Sequence, residues 1–132
     1  MIPLQPPAGR SVIRVGVDVV GVERFAATLR RTPALAARLF GPGEQLTAAG
    51  HPRRPSSLAA RFAAKEAVAK ALGAPAGMHW HHCRVIADAS GRPELLIVDS
   101  VAAVAAALGI VSWELSLSHD AGIAAAVVLG LG

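Results

Sequence analysis

Apolar residues along this chain alternate between short Val/Ile-rich runs and longer Ala/Leu-rich runs, and the two patterns predict strands and helices respectively. Ser11 to Val20 reads as a strand rich in Val and Ile, broken by Gly16 and carrying Asp18 in its midst. Val22 to Arg31 reads as a first helix, Pro33 marks a break, and Ala34 to Phe40 continues helical. Gly41-Pro42-Gly43 interrupts, Glu44 to Ala48 makes a short helical turn, and Gly50 to Pro55 is a basic loop. Ser56 or Ser57 then caps a long helix that runs to Leu72, where Gly73 and Pro75 stop it. Cys83 to Ala87 and Glu94 to Val98 form a hairpin, and Asp99 or Ser100 caps an alanine-rich helix ending at Gly109. A second hairpin joins Ile110 to His119 and Ile123 to Leu129 through Asp120-Ala121-Gly122. Strand, helical pieces, hairpin, helix, hairpin is an α+β order with a largely antiparallel sheet, in a single small domain. Residues 1–11, rich in proline, are expected to form a loose N-terminal extension and residues 12–132 the domain.

Composition narrows the company this domain keeps. At 132 residues there is material for one core; the 53% hydrophobic and 17% charged fractions leave little polar surface for an isolated small protein, so other subunits are expected to cover part of it. No apolar run has the length of a membrane span, and the N-terminus lacks the basic-then-apolar order of a signal peptide; a soluble, cytoplasmic protein is expected, with no membrane partner. The single cysteine, Cys83, cannot form an internal disulfide and is expected to pack. A net charge of +4, mostly arginine, favours an acidic protein or a phosphate-bearing ligand. Nucleic acid fits poorly, because aromatics are 4% of the chain and tyrosine is missing.

Candidate chemistry concentrates in Arg61 to Gly73, which holds both lysines of the chain, Lys65 and Lys70, around Glu66. Helical spacing pairs Glu66 with Lys70 on one face and Arg61 with Lys65 on a neighbouring one. Asp18 and Glu66 have the most apolar surroundings of the carboxylates, and each requires a counter-charge. Two are open: an ion pair to Arg24, Arg61 or Lys70, or a shared Mg²⁺, which takes one or two protein carboxylates and completes its shell with water and phosphate oxygens. The lysines would bring positive charge to a phosphate, and the Gly73 to Gly77 loop allows close backbone approach. The usual nucleotide-binding glycine loops are missing. Ser116-Leu117-Ser118-His119-Asp120 ends a strand; adjacent residues there point to opposite faces, which excludes a hydrolase triad and leaves His119 as a phosphate contact, a general acid or base, or a plain hairpin-end histidine. His79-Trp80-His81-His82, in a strand or extended loop, would splay its imidazoles apart and make no metal site. Arg30-Arg31 and Arg53-Arg54 are expected to be solvated or partner-facing.

Three motifs in order carry a family resemblance: Gly16-Val17-Asp18-Val19-Val20 with Glu23-Arg24-Phe25, then Arg61-Phe62-Ala63-Ala64-Lys65-Glu66-Ala67 with Lys70-Ala71, then Ser116 to Asp120. From about Val12 to Leu129 the chain resembles the holo-acyl-carrier-protein synthases, the small 4′-phosphopantetheinyl transferases. The resemblance implies transfer of the phosphopantetheine arm of coenzyme A to a serine of an apo acyl carrier protein of fatty acid or polyketide synthesis. It also implies Mg²⁺ and a homotrimer with sites between subunits. By the same likeness Asp18 and Glu66 match the magnesium carboxylates, Lys70 the pyrophosphate contact, His119 a ligand contact, and Arg24 a residue that meets the carrier. Lys65 and Asp120 join Glu66 and His119 in the catalytic group, and Arg61, Gly73 and Ser118 join the coenzyme A contacts. Acceptors open for the serine proton are Glu66, Asp120, His119 and a water on the metal. Three departures stand out: Gly41-Pro42-Gly43-Glu44 lacks a threonine that often opens this segment, His81-His82-Cys83-Arg84 replaces an acidic residue, and Ala74 to Gly77 has fewer glycines than many members. The rival readings are a non-catalytic coenzyme A or nucleotide-binding module and a basic RNA-binding protein.

Overall fold

The computed structural model describes residues 9–132. The expected extension over residues 1–8 lies outside the described residues, while Ser11 at its end exchanges backbone hydrogen bonds with Gly132 (2.7 and 2.9 Å). Strand β1 (Val12–Gly21) leads into α1 (Val22–Arg31), α2 (Ala34–Leu39), the single turn α3 (Pro42–Gln45) and the long helix α4 (Pro55–Ala71). A 3₁₀ turn at Trp80–His82 precedes β2 (Cys83–Ala87) and β3 (Pro93–Ile97), followed by α5 (Asp99–Ala107), β4 (Ser112–Asp120) and β5 (Ile123–Leu131). One sheet has the order β1-β5-β4 and the other is the β2-β3 hairpin, both antiparallel throughout. The α+β class expected from the element order is the one found.

Helix α4 is the centre of the molecule. Ten of its residues are buried, seven of them alanines, so its backbone lies close to β1 and β5. Ala63, Ala67, Val68 and Ala71 meet Val128 and Ala126 of the sheet and Val85 of β2 in one cluster, while Ala59 and Ala60 join Phe25 and Phe40 in a second. Gly16 shows how tight the fit is: a Cβ there would overlap the Ala67 carbonyl, a backbone group that cannot swing aside. Gly16→Ala is therefore expected to push α4 off β1, costing about 1–3 kcal/mol. A denaturant titration matching the parent protein would contradict this packing.

Several boundaries differ from expectation for local reasons. α4 begins at Pro55 rather than behind a serine cap, because proline's fixed φ and missing N–H suit a first helical position. Ser57 instead accepts hydrogen bonds from Arg61 Nη1 (2.8 Å) and Arg53 Nη1 (3.5 Å). α3 starts two residues earlier than the expected Glu44 turn, again on a proline, and Leu46 then bridges to Pro52. His79 to His82 is not extended. The 3₁₀ turn brings the His79 and His82 rings to 4.9 Å, since residues three apart eclipse in that helix. His81 Nε2 meets the Ala37 carbonyl and His82 Nδ1 meets Ser100 Oγ (both 2.7 Å), so these imidazoles tie the turn to α2 and α5. The β4-β5 turn places Ala121 and Gly122 at φ 49° and 78°, the pair of positive values that a two-residue type I′ hairpin requires.

Candidate functional site

Asp18 and Glu66 are 48 positions apart and come together because β1 and α4 cross at Gly16 and Ala67. Asp18 lies on the same face of β1 as Gly16, the face turned to α4, and Glu66 precedes Ala67 in the helix. Both carboxylates line a shallow cleft of about 360 Å³ with Arg24 and the stacked rings of Phe25 and Phe62, whose centroids are 4.9 Å apart. Burial pushes the Glu66 carboxyl above the usual glutamate range, the Asp18 charge adds to this, and Lys70 partly opposes it. Two carboxylates this close, one of them raised by the charge of the other, form a site that attracts cations.

Lys70 occupies part of that site. Its ammonium donates to Asp18 Oδ1 at 2.7 Å and to the Val17 carbonyl at 3.2 Å, joining the last turn of α4 to the middle of β1. Of the three cations the sequence offered as partners for Asp18, the structure selects Lys70. The Glu66–Lys70 pair expected from helical spacing gives way to this cross-chain bond.

Lys65, expected in the catalytic group, is placed in the core and not in the cleft of Asp18 and Glu66. It is fully buried (0% exposed) and its three ammonium protons go to Glu44 Oε1 (2.9 Å), the Trp80 carbonyl (3.0 Å) and the Cys83 carbonyl (2.7 Å). Burial lowers its pKa, against the pull of Glu44. Glu44, 2% exposed, accepts in addition from the Gly41 N–H and the Val85 N–H (both 3.0 Å), so every oxygen is used. The bond to Gly41 is the reach-back half of a capping box, and it closes α3 without the missing threonine. In the sequence Glu44 stands out only as the start of a helical turn and as part of a departure, because its partner lies 21 residues away, beyond any local periodicity. Cys83 packs as expected, its thiol pushed up to about 12 by burial.

Arg61 is buried on the opposite end of α4 from Lys70, with Arg53 beside it sharing Ser57 Oγ. Burial first, and Arg53 second, lower the Arg61 pKa to about 10, and its Nε has no hydrogen-bond partner. Arg53, expected to be solvated or partner-facing, is half-buried: its Nε donates to the Glu44 carbonyl at 2.9 Å and it lines a second cleft of about 340 Å³ with Arg84 and His81. Gly73 closes α4 at φ 82°, a left-handed conformation that suits glycine.

The hairpin residues divide by strand parity. His119 pairs with Ala124, which pairs with Val20, so it shares the α4 side of the sheet with Leu117 and Asp18 but lies exposed at the strand's end. Ser118 and Asp120 fall on the other side, the side of Val17 and Val19. One chain thus gathers Asp18, Glu66, Lys70 and Arg24, and sets His119, Ser118 and Asp120 at a rim. Among the described residues no three His, Cys, Asp or Glu side chains form a group able to hold a metal ion by themselves.

The chain is 61% identical over 122 residues to the holo-[acyl-carrier-protein] synthase of Streptomyces coelicolor, covering 92% of this chain and 99% of the relative. It is 59% identical over 118 residues to that of Salinispora arenicola, covering 89% and 97%. The solved ACPS–CoA complex of Chronobacterium ammoniagenes superposes with a TM-score of 0.73 at 34% identity, covering 88% of this chain and 94% of that one. The family model described as the 4′-phosphopantetheinyl transferase superfamily matches residues 14–128, a span that begins before Asp18, contains all of α4 and ends within β5. With the same fold, the paired carboxylates of β1 and α4 and this match over most of its length, the chain belongs to the 4′-phosphopantetheinyl transferase superfamily.

Proposed function

We propose that this chain transfers the 4′-phosphopantetheine arm of coenzyme A to a serine of an apo acyl carrier protein and releases adenosine 3′,5′-bisphosphate. The observation that carries this reading is the identity of about three residues in five to holo-acyl-carrier-protein synthases over nine tenths of the chain. Asp18 and Glu66 suit Mg²⁺: two hard oxygen ligands that repel one another, with room in the cleft for water and phosphate oxygens to complete six-fold coordination. When bound, the ion would neutralise and polarise the pyrophosphate.

The chain's own side chains supply the rest. Lys70, 54% exposed on a flexible stem, brings an ammonium to the pyrophosphate oxygens. Arg61 and Arg53, held together by Ser57 with the Arg61 Nε left unpartnered, offer a second positive centre to the remaining phosphate of coenzyme A. Arg24, exposed at the mouth of the cleft, meets acidic residues of the carrier. The stacked Phe25 and Phe62 give the cleft an apolar floor that limits water beside the reacting phosphorus. His119 and Asp120 at the hairpin end, together with Glu66, are the groups placed to take the serine proton. The enzyme acts in the cytoplasm in this reading; among the described residues no helix is long and apolar enough to cross a membrane.

Assembly as a homotrimer is part of the proposal. The sheet face turned away from α4 exposes Val15, Val17, Val19 and Val127, with Val19 59% exposed, a contiguous apolar surface unsuited to water. Ser118 shares this face, so packing copies there brings the hairpin end of one chain toward its neighbour. Val17→Glu is expected to dissociate the assembly and lower transfer at least tenfold, while the parent sediments at about three times the 13.5 kDa of one chain. A monomeric parent at micromolar concentration would remove this part of the reading.

The direct test incubates the chain with coenzyme A, Mg²⁺ and an apo carrier protein. The carrier should gain the mass of one phosphopantetheinyl group, EDTA should stop the gain, and added Mg²⁺ should restore it. A binding module leaves the carrier mass unchanged, and that result with several carriers which another transferase modifies would overturn the proposal.

A further inference from the structure

Lys70 makes two choices that helical geometry alone does not explain. It leaves Glu66, four residues earlier on its own helix, and it places its ammonium on Asp18, a carboxylate only 13% exposed, reinforced by the Val17 carbonyl. The chain thereby carries a cation of its own on one of the two carboxylates proposed to hold Mg²⁺. We propose that Lys70 is a built-in counter-ion of Asp18, displaced when a divalent cation arrives and taken up by the coenzyme A pyrophosphate, so that cation and coenzyme A bind cooperatively. The inference rests on the proposed magnesium site and adds a role for Lys70 before substrate arrives.

The argument is electrostatic. A dication bound to Asp18 would lie within a few ångströms of an ammonium hydrogen-bonded to the same carboxylate, and two cations that close repel strongly in a half-buried cleft. Lys70 must therefore move for the cation to bind well, and among the described residues lining the cleft the only other carboxylate is Glu66, the other ligand. Pyrophosphate supplies one. Because Lys70 is half-exposed, its pair with Asp18 is weak enough to be exchanged and strong enough to reduce cation affinity several-fold. Reciprocity then requires that coenzyme A tighten the cation by the same factor by which the cation tightens coenzyme A.

The experiment measures Mn²⁺ binding by electron paramagnetic resonance, first with protein alone and then with coenzyme A present and no carrier, so that no turnover occurs. Lys70→Met should tighten Mn²⁺ on protein alone by about three- to tenfold and reduce the tightening that coenzyme A produces. Lys70→Arg, which keeps a cation, should bind Mn²⁺ no more tightly than the parent. Arg24→Met removes a charge from the same cleft without touching Asp18, and should change Mn²⁺ affinity less than about twofold. Equal tightening by Lys70→Met and Arg24→Met would mean a general field and overturn the counter-ion role, as would unchanged or weaker binding by Lys70→Met. In either case Mn²⁺ binding by the parent with coenzyme A leaves the proposed function standing. No Mn²⁺ binding by the parent even with coenzyme A would remove the carboxylate site, and with it both proposals.

Discussion

Lys65→Met is expected to destabilise the fold by about 3–5 kcal/mol, lowering the melting temperature by about 10 °C or more. The substitution leaves the Glu44 carboxylate in a site 2% exposed, hydrogen-bonded to two backbone N–H groups but to no cation, and it takes one hydrogen bond each from the carbonyls of Trp80 and Cys83. Those acceptors belong to the 3₁₀ turn and β2, so the damage spreads from α4 to the small hairpin. Removing both charges together, in Glu44→Gln with Lys65→Met, should cost less than the sum of the two single changes, because neither charge is then buried alone. Calorimetry of the four proteins gives the coupling. A melting temperature for Lys65→Met within about 2 °C of the parent would show that the pair is not holding these elements. Measured well below its melting temperature, the variant should keep far more activity than a variant at Glu66; a loss of kcat beyond about a hundredfold in folded protein would return Lys65 to the reaction.

Lys65 also shows where the sequence was legible and where it was not. The helix containing it follows from alanine and leucine content and from the Gly73 stop, and the element order gave the antiparallel class, because both depend on residues close in the chain. Whether a lysine on that helix faces a ligand or the core depends on what packs against it from Glu44, Trp80 and Cys83, and no local period carries that information. Ten of the 17 positions of α4 are buried and only Pro55 and Lys70 are exposed, so the helix has no polar stripe from which exposure could be read. Arg53 meets the same limit: a basic loop looks solvated or partner-facing until the Glu44 carbonyl is placed beside it. Asp18 was easier, since a carboxylate amid valines demands a cation whatever the fold, and the short set of cations included Lys70. The histidine run failed through its secondary structure alone: a 3₁₀ turn where extension was expected changes which imidazoles meet.

Glu66→Gln and Asp18→Asn are each expected to reduce transfer by about a hundredfold or more while the protein stays folded. Both changes keep side-chain volume and remove a negative charge from a cleft where two such charges oppose each other. The sign of the stability effect follows from the Glu66 shift. Burial and the Asp18 charge raise its pKa in the folded chain above the unfolded value of about 4.3, so the folded state binds the proton more tightly and the ionised form is disfavoured as pH rises through that range. Glu66→Gln removes this penalty, and the metal-free variant should melt at or above the parent temperature at pH 8, with the difference vanishing below about pH 4. Cation uptake has the opposite pH dependence, because only the carboxylate binds. Mn²⁺ affinity of the parent should therefore fall on acidification at a pH above that of an ordinary glutamate. A variant that melts well below the parent at pH 8 would assign Glu66 to holding the fold, and full transfer by either variant in metal-buffered assays would remove the paired carboxylates from the reaction.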